Sequence, residues 1–346
     1  MIAKNSKFLL PLLIAGWILV ITGFLARAEV PSVPDLGKLM EGASKERSLT
    51  IYHSTLYEDT KILTDNFLRK YPFIKLHTYR AGQVALINRI MSEHRAQAQK
   101  WDVIILNTLL LNDLKKQEAL QRYLIRDASA YDGGFRDNEG FWYGLLINAQ
   151  VLGYNTRIVK SADIPRSFMD LLDPKWIGKI AIDAEPYDWL MCLEKQWGRE
   201  KTWNYIKNLS QQRPKVLRGR GLLTQLLAAG EIPLSIPLYN YRIEQMKKDR
   251  APVDWVALDP VSANITGIAL SEKPSNPSAA RLFLEYTLSR EGQHDVRELG
   301  RIPARLEIKP NPPRLTENLK MIPSEQNQPD DIKRVLRDFN AYMRNK

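Results

Sequence analysis

The stretch whose reading decides the fold runs from Phe168 to Trp189, FMDLLDPKWIGKIAIDAEPYDW. Residues 168–172 are predicted as a short helix. Asp173-Pro174 stops it, because the residue ahead of a proline is pushed out of the helical region. Residues 179–182 form a short apolar run suited to a buried parallel strand. Behind it, Asp183-Ala184-Glu185-Pro186-Tyr187-Asp188 makes a polar loop at the strand's carboxyl end, where open α/β sheets hold their ligands. The chain ahead of this stretch reads as one α/β lobe, and most of the chain beyond it reads as a second.

Towards the N-terminus, strands are expected at 49–52, 74–79 and 102–106, with helices at 35–45, 58–71, 84–98 and 109–118 between and around them. Apolar residues in these helices recur at helical spacing. Strand–helix alternation of this kind is the doubly wound α/β pattern. Residues 142–154 leave the first lobe as strands, and a first crossing is expected at 154–157.

Towards the C-terminus, helices are expected at 189–197, 200–210, 222–229 and 239–248. Gly230 caps the third of these, and 218–221 is a turn ahead of it. Strands are expected at 215–217, 234–238 and 255–258. A second crossing comes at 263–268, then a helix at 277–288 that continues through 291–299. Residues 305–330 are Pro-rich and extended. Residues 331–344 form an amphipathic helix expected to dock on the first lobe. The expected division is therefore a leader at 1–28, lobe one at 29–153 plus 267–346, and lobe two at 154–266.

The chain has 346 residues, 44% of them hydrophobic and 26% charged, an ordinary globular balance. Lys4 and Lys7, an apolar run over 8–25 and Ala26-Arg27-Ala28 have the layout of a cleavable secretory signal. An uncleaved membrane anchor is the alternative, because the run is slightly long. The protein is thus expected to work outside the cytoplasm, in the periplasm. The first 28 residues carry three basic groups and no acid, so removing them lowers the net charge of +11 to about +8. Nucleic acid seldom meets an exported protein, so an anionic solute or membrane face fits this charge better. The one cysteine, Cys192, is expected as a small core residue. His53, His77, His94 and His294 show no metal-ligand spacing, and there is no GxSxG, HExxH or P-loop motif. An exported enzyme is therefore the lesser alternative, and no resident cofactor is expected.

The segments LTIYHS, WDVIILN, GYNTR, DLLDPKWIGKIAIDAE, AAGEIPLSIPLYN and GIALSEKPSNPSAARLFLEYTLSREGQ together resemble the substrate-binding components of bacterial ABC importers. The likeness is to the type II periplasmic binding proteins of the ferric-iron-like branch, over about residues 48–310. It implies an α/β fold of two doubly wound lobes joined by a two-crossing hinge, with a solute held between them. It also implies a monomer that delivers the solute to a membrane permease with a cytoplasmic ATPase.

The loops expected to face the cleft supply the candidate ligand-binding residues. Ser54 and Thr55 offer hydroxyls, or cap the next helix. Gly82 would let backbone approach a ligand. Asn107 lies at a strand end, Asp183 and Tyr187 in the polar loop, and Asn264 at the second crossing. Arg218 could clamp an anionic group bidentately, or be a solvated surface charge. Tyr239 joins this set. For a ferric ion, the alternative solute, Tyr239 and Tyr241 would be ligands, at the place where iron-binding relatives carry two adjacent tyrosines. Here one residue separates them, and such neighbours on a helix face different ways. His53 also sits one or two positions ahead of the histidine of those relatives. The leading expectation is therefore a small anionic organic solute.

Overall fold

A computed structural model describes residues 35–323 and 329–343, so the expected leader at 1–28 lies outside the described residues. The chain opens with α1 (Leu36–Glu46), whose first N–H groups Asp35 caps, followed by β1 (Ser48–His53) and α2 (Tyr57–Lys70). β2 (Lys75–Arg80), α3 (Gln83–Arg95), β3 (Val103–Asn107), α4 (Thr108–Lys116) and the short β4 (Leu120–Gln121) come next. β1 pairs in parallel with β2 and with β3, and every residue of β3 is buried, as its unbroken apolar sequence requires.

β5 (Tyr143–Asn155) is one continuous strand shared by two sheets. Its first half, through Ala149, pairs with β10 (Val261–Ser271), which in turn pairs antiparallel with β3. From Gln150 onward it pairs instead with β8 (Leu234–Tyr239) and β9 (Val253–Val256). The second sheet continues from β8 through β6 (Ile180–Asp183) to β7 (Lys215–Leu217), all parallel. The chain returns to the first sheet between Val256 and Val261.

The opening stretch folds nearly as read. Two single 3-10 turns, Met169–Leu172 and Pro174–Trp176, replace the short helix, and Asp173 accepts the N–H of Lys175 at 2.9 Å. Trp176 is 5% exposed and packs with Phe168, Ile180 and Trp189, so the DPKW turn plugs the core of the second sheet. α5 (Tyr187–Trp197) and α6 (Arg199–Gln211) cover that core, and Cys192 is buried within α5. α7 (Arg220–Ala229) and α8 (Asn240–Lys248) flank β8 in sequence.

α9 (Pro277–Leu288) packs on α1, and Ser289 caps a separate α10 (Arg290–Glu298) by accepting the N–H of Gly292 at 3.2 Å. The expected continuous helix is therefore broken at this serine. A Cβ on Gly292 would stand 2.3 Å from the Tyr286 carbonyl, so only glycine fits the turn. Gln293 is fully buried, donates to the Leu145 and Thr287 carbonyls and accepts from Ala304 N–H at 2.9 Å. The EGQ triplet thus stitches this corner to β5. Short β11 (Ile302–Pro303) and β12 (Met321–Pro323) add to the first sheet.

The last helix, α11 (Pro329–Met343), departs from expectation. It docks on α5 and α6 rather than on the first lobe, burying Val335 and Phe339 among the side chains around Trp189. Arg334 pairs with Glu194 at 2.6 Å, and the Tyr342 ring stacks on Trp203 at 6.0 Å. Periodicity showed that this helix has an apolar face but not which core is left open to receive it. Among the described residues no helix is long and apolar enough to cross a membrane.

Candidate functional site

A cavity of about 920 Å³ opens between the starts of α3 and α4 on one side and the loops after β6 and β7 on the other. Gly82, Asp183, Tyr187, Arg218, Tyr239 and Asn264 all line it. A smaller compartment of about 510 Å³ adjoins it, lined by the α2 start (Leu56, Glu58, Asp59) and by Tyr241 and Arg242. Arg220 and Tyr239 line both compartments.

Arg220 organises the floor. Its side chain is 11% exposed, with Nη2 2.5 Å from Asp188 Oδ1 and Nε 3.2 Å from Asp183 Oδ2. Nη1 donates to Asp188 Oδ2 at 3.1 Å and to the Tyr239 hydroxyl. Asp188 also accepts from Gln150 Nε2 at 2.6 Å and from Asn264 Nδ2 at 2.9 Å. Burial by itself would raise the Asp188 carboxyl, but the Arg220 charge and these hydrogen bonds outweigh it and hold it below the usual range. Burial pushes the Tyr239 phenol up to about 12, against the pull of Arg220. Burial and the neighbouring Asp188 charge also raise Tyr187. Asp183 accepts the N–H of Gly219 at 3.2 Å, which ties the β6 loop to the α7 start.

Arg218 is the exposed cation of the cavity, 78% exposed and 2.5 Å from a half-exposed Glu185. One such bond leaves most of a guanidinium's five N–H donors open. Three helices begin at this cavity, α3 after Gly82, α5 after Pro186 and α7 after Gly219, and none of their N-cap residues supplies a side-chain cap, although Asp188 accepts the Trp189 N–H in α5. Their first-turn N–H groups carry partial positive charge.

The remaining expected residues lie elsewhere. Thr55 exchanges hydrogen bonds with His53 and Thr60, at 3.0 and 2.7 Å, at the head of α2. Asn107 is 4% exposed and caps α4 by accepting from Leu109 N–H at 2.8 Å. Neither of these, nor Ser54, lines the cavity. For Thr55 and Asn107 the local bond satisfies the side chain before a ligand could. Gly82 has φ −62°, an ordinary value, and a Cβ there would meet nothing within 4 Å. Its contribution is the free helix start and not glycine's conformational range.

The tyrosines overturn one expectation. α8 begins at Asn240, so Tyr239 ends a strand, and its ring stacks on that of Tyr241 at 5.9 Å. A guanidinium covers each ring, Arg220 at 4.7 Å from the Tyr239 centroid and Arg301 at 3.4 Å from that of Tyr241. Arg301 is itself held by buried Asp59 at 2.5 Å.

Residues 98–327 match the family model described as bacterial extracellular solute-binding protein. The chain belongs to that family. A curated relative of this solute-binding protein, an Fe(3+)-binding periplasmic protein of Serratia marcescens, is 22% identical over 273 residues, 74% of this chain and 78% of that one. Other curated relatives match over 43% to 51% of their length. Iron-bound HitA from Pseudomonas aeruginosa superposes with TM-score 0.73 at 19% identity, covering 84% of this chain and 99% of that one. AfuA from Actinobacillus pleuropneumoniae, with fructose-6-phosphate bound, gives 0.72 at 20%, covering 86% and 99%. These neighbours establish the two-lobed periplasmic-binding fold of the solute-binding protein.

Sequence reading missed Arg220 as a site residue. The GRG triplet resembles a turn, yet α7 starts two residues earlier than its apolar residues imply, which carries Arg220 inward. A cation flanked by glycines opposite the acidic DAEPYD loop was the available signal.

Proposed function

We propose that this protein captures a small anionic organic solute between its lobes, in the periplasm after export on the leader at 1–28. As a monomer it hands the solute, unchanged, to a membrane ABC permease driven by a cytoplasmic ATPase. Lobe one would comprise the first sheet with its helices, and lobe two the second sheet with α11. The strands β5 and β10 and the segment between β9 and β10 would form the hinge. A solute that contacts both lobes shifts the clamp towards closure by the difference in its affinity for the two states.

The observation that carries this reading is exposed Arg218 standing at a cavity where three uncapped helix starts converge. Its pair with Glu185 is solvent-exposed and therefore weak, so an acid group of a solute can compete for the guanidinium. Arg218→Ala is expected to weaken binding of a phosphate monoester by about ten- to a hundredfold, the worth of a charge-assisted hydrogen bond. Unchanged affinity in calorimetry would sink the assignment of Arg218.

The stacked Tyr239 and Tyr241 favour a second reading, ferric iron as the solute. It ranks lower, because the Tyr239 hydroxyl is held by Arg220 and its pKa is pushed up to about 12, away from the phenolate a hard cation needs. Native mass spectrometry of freshly purified protein separates the two. A carried-over organic anion supports the first reading, and bound iron with a visible absorption band overturns it.

A further inference from the structure

The two walls of the cavity differ in kind. All its charged residues, Asp183, Glu185, Asp188, Arg218 and Arg220, come from the end of β6 and the segments that follow β6 and β7. The facing wall from α3 and α4 is mostly apolar, with Val84, Ala85, Ile87 and Leu110 beside the amides of Gln83 and Asn88, and Ile332 of α11 adds a further apolar contact at the cavity. Val84 is 76% exposed, in the first turn of α3, where no core claims it. An apolar wall facing water inside a cavity costs free energy that a ligand of matching surface removes. A cavity of about 920 Å³ is also far larger than a bare ion fills, and lies in the range used for organic ligands.

Resting on the proposed function, we infer that the solute is amphipathic: a phosphate or carboxylate head against Arg218 and the helix starts, and an apolar body against Val84, Ile87 and Leu110. The head supplies orientation through hydrogen bonds to the charged wall. The body supplies affinity through area removed from water on the α3–α4 wall, where Gln83 and Asn88 are the polar side chains among the described lining residues. A polyhydroxylated body of the same size would find only the Gln83 and Asn88 amides to pair its hydroxyls on that wall.

Calorimetry with matched probes tests this: phenyl phosphate against glycerol phosphate, and phenylacetate against glycolate. The apolar member of at least one pair is expected to bind ten- to a hundredfold more tightly. In Val84→Asn, an exposed position that leaves the core untouched, that preference is expected to shrink three- to tenfold. Equal affinities within both pairs, or a preference for the polar members, overturns the amphipathic assignment and leaves the anion reading standing. A preference that Val84→Asn leaves intact overturns the role given to the α3–α4 wall. Binding of none of the four, with iron bound instead, overturns the anion reading and this inference with it.

Discussion

Arg220 grips Asp188 with both guanidinium ends, Nη2 at 2.5 Å from Oδ1 and Nη1 at 3.1 Å from Oδ2. The same carboxylate accepts from Gln150 on β5 and Asn264 on β10, the two long strands at the junction of the sheets. One buried acid therefore joins the floor of the cavity to the strands on which the lobes would turn.

Removing one member of that pair strands the other. Asp188→Ala should cost about 3–5 kcal/mol in urea unfolding, because Arg220 is left charged and buried without its counter-ion. Replacing both residues with leucine should cost clearly less than the two single changes summed. Additive costs would show that the pair is not coupled. Because the folded Asp188 carboxyl sits below its usual range, the pair's contribution is complete above that range and fades as pH falls beneath it.

His53 gives a different pH window. Burial, with the Arg80 charge second, lowers its pKa from 6.5 to about 4, so the folded imidazole stays neutral where the unfolded one is protonated. The unfolded state then binds more protons between those values, and stability should rise with pH from about 4 to 6.5, by about 2 kcal/mol after discounting the partly screened Arg80 share. His53→Gln should flatten that part of the stability–pH curve. An unchanged slope would place the dependence on another group.

The two glycines at the cavity should respond in opposite directions. Gly219 has φ +103°, a conformation other residues adopt only with strain, so Gly219→Ala should destabilise by about 1–2 kcal/mol and weaken solute binding by displacing the α7 start. Gly82, at φ −62° with free space at its Cβ position, should tolerate alanine with a gain of about 0.5 kcal/mol. Thermal melts of the two variants against the parent protein decide it.

Phe339 of α11 is fully buried in the core around Trp189. Phe339→Ala should cost about 3–5 kcal/mol and appear first as altered fluorescence of the second-sheet tryptophans. Loss of less than about 1 kcal/mol would mean that α11 is dispensable to that core.

Part of the cavity lining was legible because strand ends in an α/β sequence point to one edge of a sheet. That rule brought Asp183, Tyr187, Arg218 and Tyr239 to one cavity. It failed at Thr55 and Asn107, where a local hydrogen bond at a helix head satisfies the side chain first. It also failed at Arg220, whose role depends on where α7 begins, and helix starts are the weakest part of a periodicity argument.

The sequence by itself determined the alternation of strands and helices and the stop at Asp173-Pro174, since each is written in local spacing and chain stiffness. Only the tertiary structure decided three things: that one strand, β5, serves both sheets, that α11 closes the second core, and that Tyr239 and Tyr241 stack beneath two guanidiniums. These depend on which surfaces are left unpaired once the rest has folded. The FMDLLDPKWIGKIAIDAEPYDW stretch spans both kinds, a locally specified stop at Asp173-Pro174 and, further on, a loop whose partners, Arg218 and Arg220, arrive from some thirty residues away.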